Sequence, residues 1–378
     1  MSVTRRDRSF LGKWWWTVDH FTLGILGVLL VLGMVMVTTA SPAVAERIGL
    51  QSFYFVYRQI VFLILAAIVM FAISLLSPSA IRRLALAGFI IGVIALVAVL
   101  FVGAEAKGAR RWLYIAGFSL QPSEFVKPCF AVMTAWALAK PMEQPGCGPG
   151  YKVAVGLYGV YVLLLILQPD FGMTVTVSAV WGAQLFLAGL PLFWIMVVAF
   201  LGIMGIVGAY LLLPHVAKRI NTFIDPSHGD TYQVERSMDA IRHGGLTGTG
   251  PGDGTVKLSL PDSHTDFVFS VLGEEFGAIV ACMVILLFAV IVLRGFMKVQ
   301  KESDLFIMYA VAGLLMQFGV QSIINMGVAV HLFPTKGMTL PFISYGGSSV
   351  LAIALAMGMV LALTRRRYGA VRTMWVKH

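Results

Sequence analysis

Long uninterrupted apolar runs alternate with short polar breaks along this chain, and each run is about as long as a helix must be to cross a bilayer. A hydrocarbon core takes roughly 20 helical residues, and Phe21 to Ala40 and Leu84 to Ala104 are runs of that kind. With backbone groups satisfied within the segment, runs like these read as helices and not as barrel strands. The pattern predicts about ten spans, over 20–40, 57–76, 84–104, 121–139, 152–168, 171–189, 192–213, 267–294, 304–328 and 345–364. Proline and glycine stop and reverse the chain at Gln168-Pro169-Asp170-Phe171-Gly172 and at Gly189-Leu190-Pro191. The expected fold is an all-α polytopic membrane protein, one domain over 1–378, with both termini cytoplasmic. A single large extracytoplasmic loop, 214–266, joins the seventh and eighth helices, and Tyr232 to His243 within it is patterned like an amphipathic surface helix.

Composition agrees with that pattern. Hydrophobic residues make up 58% of the chain and charged residues 12%, against roughly 45–50% and 25% in soluble domains. The net charge of +10 would suggest nucleic acid in a soluble chain. Here most basic residues flank the spans, so the positive-inside rule accounts for them and nucleic acid is excluded. The basic start, with Arg5, Arg6, Arg8 and Lys13, reads as the cytoplasmic end of an uncleaved first span, because the apolar run that follows is too long for a signal peptide. The three cysteines have no metal or disulfide spacing. Most carboxylates fall on the expected outer side, and bare topology does not require them there.

Three outer segments hold this polar chemistry: 105–121, 214–265 and 331–349. Asp266, in Ser263-His264-Thr265-Asp266-Phe267, leads directly into a span. Helix capping alone would explain an aspartate there, but partial desolvation at the membrane boundary also makes a carboxylate a better base. Glu274 and Glu275 follow within the same span. Helical geometry puts Glu274 about 80° round from Asp266, able to share its cavity, and Glu275 nearly opposite, towards another helix.

Gly108-Ala109-Arg110-Arg111-Trp112 offers two guanidiniums suited to a phosphate or diphosphate, with lipid headgroups as the plainer partner. Glu124 and Lys127, three apart at the start of a span, read as a structural ion pair. The glycine-rich run 244–254 lacks the context of a nucleotide loop, and its glycines fit tight turns that lay the loop on the membrane. Pro334 to Ser349 has two prolines, three glycines and small hydroxyl residues before a span, which predicts a re-entrant segment. Lys336 within it is a further cation for an anionic substrate, unless it only snorkels to the interface.

Taken in order, Tyr57-Arg58-Gln59, the Gly-Ala-Arg-Arg-Trp and Gln-Pro-Ser-Glu segments, Gln168-Pro169-Asp170, Tyr232-Gln233, Gly244-Gly245, His264-Thr265-Asp266-Phe267, Gly273-Glu274-Glu275 and Ile343 to Ser349 closely resemble the SEDS family of cell-wall polymerases. Ser270 to Glu275 and Pro334 to Gly337 look more like its division-specific FtsW branch than the RodA branch. Leu260-Pro261-Asp262-Ser263 and Phe276 depart mildly from the family pattern, away from any proposed catalytic group.

The resemblance implies polymerisation of lipid II into β-1,4 glycan strands, with undecaprenyl diphosphate as leaving group. It implies Asp266 as catalytic base, and Arg110, Arg111, Lys336, His264, Glu274 and Ser344 as substrate-binding residues. It further implies no organic cofactor, room for a divalent cation such as Mg or Mn, and a class B penicillin-binding protein with other divisome proteins as partners. The expected place is the bacterial inner membrane at the septum, with the site facing the periplasm. Two rival readings of the same residues are a lipid II transporter, since intramembrane charges also serve transport, and a non-catalytic divisome scaffold.

Overall fold

The computed structural model describes residues 9–106, 109–115, 117–143, 150–212, 216–217, 220–221, 223, 232–334 and 337–366. It is mostly helical. The helices are α1 (Phe10–Thr17), α2 (His20–Arg47), α3 (Tyr54–Ser74), α4 (Pro78–Val102), α5 (Pro122–Glu143), α6 (Gly150–Leu167), α7 (Phe171–Leu187), α8 (Leu192–Leu212), α9 (Tyr232–Gly244), α10 (Val268–Val299), α11 (Leu305–Ala329) and α12 (Gly347–Leu363). Each of the ten expected apolar stretches overlaps one of them, and among the described residues six helices are both long and apolar enough to cross a membrane.

Local chemistry sets several helix starts. Ser77 Oγ accepts from Ala80 N at 3.3 Å with Pro78 in the first turn of α4. Asp170 Oδ1 accepts from Met173 N at 3.2 Å, and Asp304 Oδ1 from Ile307 N at 3.1 Å. Each side chain satisfies an amide that the first turn leaves open. Short α1, unforeseen from the sequence, is pinned through Trp14 Nε1 donating to Ser74 Oγ at 2.8 Å, while Leu11, Trp15 and Trp16 stay exposed.

The core lies where α5, α11 and α12 meet, and 67% of the apolar window of α11 is buried. Small residues permit the closest approaches: a Cβ on Gly92 of α4 would stand 2.3 Å from Val126 Cγ2 of α5, and one on Gly347 would stand 2.4 Å from Phe62 Cζ of α3. Such packing is how helices associate without a hydrophobic difference from lipid. By contrast α8 exposes Phe193, Trp194, Met196, Phe200 and Leu201, as a lipid-facing helix would.

Two connecting segments go beyond expectation. Where the sequence predicts a connecting segment over 105–121, the chain forms an antiparallel sheet of β1 (Ala104–Ala106), β2 (Ala109–Ile115) and β3 (Phe118–Leu120) in the order β1-β2-β3. Short strands satisfy their own backbone groups where the chain leaves α4 and returns to α5. The glycine-rich stretch makes the expected tight turns and docks on α10. Gly277 interrupts α10 with φ +80°, and a Cβ there would stand 2.4 Å from Gly248 N. The groups freed by that break are paired by the loop: Thr249 N donates to Glu274 O at 3.0 Å, Gly250 N to Glu275 O at 3.0 Å, Ala278 N to Gly245 O at 2.9 Å and Ile279 N to Leu246 O at 3.2 Å. Irregular backbone at this depth persists only where protein supplies its partners.

At the opposite end of α10, Arg294 and Lys298 grip Asp19 at 3.2 and 2.6 Å. Burial alone would raise the Asp19 carboxyl, but the hydrogen bonds from Arg294 and Lys298 outweigh it and hold the group well below the usual carboxylate range.

Candidate active site

Asp266 occupies the turn that opens α10. Asp262, at φ 53°, aims its carbonyl at three successive amides, accepting from Thr265 N at 3.1 Å, Asp266 N at 3.1 Å and Phe267 N at 3.3 Å. A short acidic residue tolerates that left-handed conformation better than most. The half-buried Asp266 side chain therefore stands at the positive end of a long helix.

Residues 337–346 supply the facing wall. They run as irregular backbone, as expected, and Phe342 among them is fully buried. A Cβ on Gly33 of α2 would stand 2.0 Å from Phe342 O, so that segment rests directly on the α2 backbone. Ser344 Oγ donates to Thr265 O at 2.5 Å and accepts from Leu340 N at 2.7 Å, while Tyr345 N donates to His264 O at 2.8 Å. Gln59 Nε2 of α3 holds the Ser344 carbonyl at 3.3 Å. Gly337 reaches Asp266 itself: a Cβ on it would lie 3.2 Å from Asp266 Oδ2. Lys336 lies outside the described residues, one position from that contact.

His264 is 6% exposed, with its ring 4.8 Å from Phe55 and 5.4 Å from Tyr345 between centroids. Burial pushes its imidazole down to about 4, a shift that nearby Asp262 only partly opposes. The ring is thus neutral at physiological pH. Its Nδ1 is buried without a hydrogen bond to the described residues.

The structure does not bring the two arginines together. The register of β2 against β1 shifts at Arg111, where Arg110 pairs with Glu105 and Trp112 with Ala104, and this bulge leaves Arg110 exposed and Arg111 half-buried. Arg111 turns to the α6–α7 corner, where Nη2 donates to Pro169 O at 2.6 Å, Nε to Gln168 O at 3.4 Å, and Asp170 Oδ2 lies 3.9 Å away. Arg58 fixes the other end of the sheet, donating to Gly117 O at 3.0 Å.

Glu274 is likewise engaged away from the Asp266 carboxylate. Its side chain, fully buried, accepts from Val256 N at 2.7 Å and Lys257 N at 2.9 Å, and His243 Nδ1 lies 3.1 Å away. Glu275 pairs with Lys257 of the loop before α10 rather than with another helix, and Lys257 Nζ also donates to Thr39 O at 3.1 Å and Gly252 O at 3.0 Å. The two glutamates together fasten that loop to α10.

Glu124 and Lys127 form the expected pair at 2.8 Å. Sequence reasoning missed where that pair leads. Lys127 Nζ donates to Gln321 Oε1 at 2.9 Å, and Gln321 Nε2 donates to Thr339 O at 3.0 Å. One turn along α11, Asn325 Nδ2 donates to Asp266 O at 2.9 Å and to Met338 O at 2.5 Å. Two amides four residues apart inside an apolar span were the available signal.

The family model for FtsW, RodA and SpoVE, described as "Cell cycle protein", matches residues 20–369. The chain belongs to the FtsW/RodA/SpoVE family. This bears out the likeness drawn from the motifs. Among relatives of this family member, a Caulobacter vibrioides protein named "Probable peptidoglycan glycosyltransferase FtsW" is 46% identical over 370 residues, covering 98% of this chain and 95% of that protein. Stage V sporulation protein E of Bacillus subtilis is 33% identical over 345 residues, 89% of this chain and 94% of that one. Among solved structures, a chain from a peptidoglycan synthase complex that coordinates polymerization and crosslinking aligns with TM-score 0.76 and 27% identity over 92% of this chain and 97% of its own. The rod shape determining protein RodA of Thermus thermophilus aligns with TM-score 0.68 and 26% identity over 93% and 97%.

Proposed function

We propose that this chain is the peptidoglycan glycosyltransferase of cell division, polymerising lipid II into β-1,4 glycan strands on the periplasmic face of the bacterial inner membrane. The observation that carries the reading is the Asp266 carboxylate at the mouth of α10, walled by Gly337 of the irregular segment. In this reading ten helices, α2 to α8 and α10 to α12, span the membrane, both termini are cytoplasmic, and α9 with the loop around it lies outside.

Asp266 accepts the proton of the acceptor's GlcNAc 4-hydroxyl as that oxygen attacks the anomeric carbon of the donor MurNAc. The bond to undecaprenyl diphosphate breaks on the opposite face, so the anomeric centre inverts. A diphosphate leaves without protonation, and one carboxylate then suffices where glycosidases use two. What the leaving group needs is positive charge. Lys336, beside Gly337, and exposed Arg110 are the cations assigned to it, while Arg111 keeps the sheet in place. Neutral His264 and the Ser344 hydroxyl shape the wall that the sugar meets. Among the described residues no three His, Cys, Asp or Glu side chains gather to hold a metal. A divalent cation, Mg or Mn, would therefore be held mainly by diphosphate oxygens.

A class B penicillin-binding protein of the division machinery is the proposed partner, as expected for a polymerase that feeds a crosslinking enzyme at the septum. The deciding experiment is glycan polymerisation from purified lipid II in detergent, with and without that partner. Detergent removes sidedness, so polymer formation separates polymerase from transporter. Asp266→Asn should cut product to a small but measurable remainder while remaining folded. Full activity in that variant would end the proposal for Asp266 as base.

A further inference from the structure

Asp266 is held through its backbone by a group that belongs to neither catalytic segment. Asn325 of α11 is 1% exposed. Its single Nδ2 spans the site, donating to Asp266 O at 2.9 Å and to Met338 O at 2.5 Å. The first carbonyl is in the turn that opens α10, and the second follows Gly337, whose Cβ position lies 3.2 Å from Asp266 Oδ2. One carboxamide thereby ties the two walls at the point where they meet the carboxylate.

We propose that Asn325 is a positioning residue for the glycosyl transfer: it fixes the separation between the Asp266 turn and the 337–338 segment, and so the aim of the carboxylate at the acceptor hydroxyl. The proposal rests on the reading of Asp266 as base. The two walls are also joined by Tyr345 N to His264 O and Ser344 Oγ to Thr265 O, but between Asp266 itself and the 337–338 stretch the tie is Asn325. Neither the 262–267 turn nor the 337–340 stretch belongs to a helix or a sheet, so no ladder of backbone hydrogen bonds sets their spacing. The Gln321 amide, a turn away, takes hold of Thr339 O and steadies the same stretch from behind. A buried amide that only satisfied stray carbonyls would act on stability alone. One that sets a reacting distance acts on turnover, because a displacement of about 1 Å can cost roughly 100-fold in rate.

The test is a double-mutant cycle on the full chain with purified lipid II. Asn325→Leu, close in volume and without a donor, should lower kcat by about 10- to 100-fold with KM within about twofold. Asp266→Asn sets the floor. The double variant should be no slower than Asp266→Asn alone, because a residue that acts through Asp266 has nothing left to position. Should Asn325→Leu fail to fold, Asn325→Gln takes its place: it keeps the donor, lengthens the arm by one methylene, and should show the same loss in kcat with a smaller loss of thermal stability than Asn325→Leu.

A loss in the double variant equal to the sum of the single losses would overturn the inference. So would a folded Asn325 variant at wild-type kcat, or one changed only in KM. An active Asp266→Asn would instead remove the base reading, and the positioning role with it, which is a different pattern from a strongly impaired Asp266→Asn beside an unaffected Asn325→Leu.

Discussion

Gly337 stands against Asp266 so closely that a Cβ on it would lie 3.2 Å from the carboxylate Oδ2. This contact joins two segments that are 71 residues apart (337 − 266) in the chain, and it makes residue 337 a probe of the site that leaves every charge in place. In Gly337→Ala the carboxylate must yield by a few tenths of an ångström, and a loss of a few-fold in kcat is expected. Gly337→Val adds two methyl groups on the same side, and about 10- to 100-fold is expected. Lipid II turnover by variants of matched thermal stability checks the series. Wild-type turnover in Gly337→Val would show that the carboxylate does not work where it stands.

The loop before α10 is fastened by a buried ion pair, which predicts an asymmetric mutational response. Lys257 is 4% exposed and Glu275 1%. Removing one partner strands a charge, at a cost of about 3–5 kcal/mol, whereas replacing both with apolar residues is often close to neutral. Lys257→Met should therefore lower the thermal stability of the purified chain sharply, and Lys257→Met with Glu275→Leu should regain most of it. Proteolysis within 244–257 should follow the same order, since those residues dock on the Gly277 break. If the double variant is the less stable of the two, the pair contributes more than its desolvation costs.

The helices were legible because apolar length is a strong signal, and capping by Asp170 and Asp304 follows ordinary rules. The pairing of Glu124 with Lys127 was legible for a similar reason, since two opposite charges three apart in an apolar span have few alternatives. What escaped depended on contacts across the fold. Helical spacing alone allowed Glu274 to face the Asp266 cavity, and nothing local announces that Val256 and Lys257 bring two amides to its carboxylate. The adjacent arginines looked like a clamp as long as 105–121 was a loop. Once Ala109–Ile115 is a strand with its register shifted at Arg111, that guanidinium is turned to the Gln168 and Pro169 carbonyls and the clamp is lost. Asn325 escaped because attention to charged loops passes over a neutral amide inside an apolar run.

That separation makes the two arginines distinguishable. Arg111 binds two carbonyls at the α6–α7 corner through a planar fork, a geometry that lysine cannot reproduce. Arg111→Lys and Arg111→Ala should both lower thermal stability, and activity should fall with it. Arg110, by contrast, is exposed. Arg110→Ala should keep wild-type stability and raise the KM for lipid II, with Arg110→Lys retaining part of the affinity through charge alone. Kinetics and thermal unfolding on these four variants and the wild type decide the matter. Equal KM values for Arg110→Ala and wild type would remove Arg110 from substrate binding.

His264 gives the site a defined pH dependence. In the folded chain, burial lowers the imidazole from its ordinary 6.5 to about 4. As pH falls below 6.5 the unfolded chain takes up a proton that the folded chain refuses until about 4. The unfolded state then carries more protons, and stability must decline across that window, having been complete above it. The difference amounts to no more than about 3 kcal/mol. Thermal unfolding measured from pH 7.5 to 5 should show the decline begin near 6.5. In His264→Gln, which is neutral throughout, that part of the slope should vanish, and the Asp19 latch does not replace it, because its stabilisation is lost only below about pH 5. Parallel curves for wild type and His264→Gln would mean that the ring titrates normally and is open to water, which would in turn remove it from the dry wall facing the sugar.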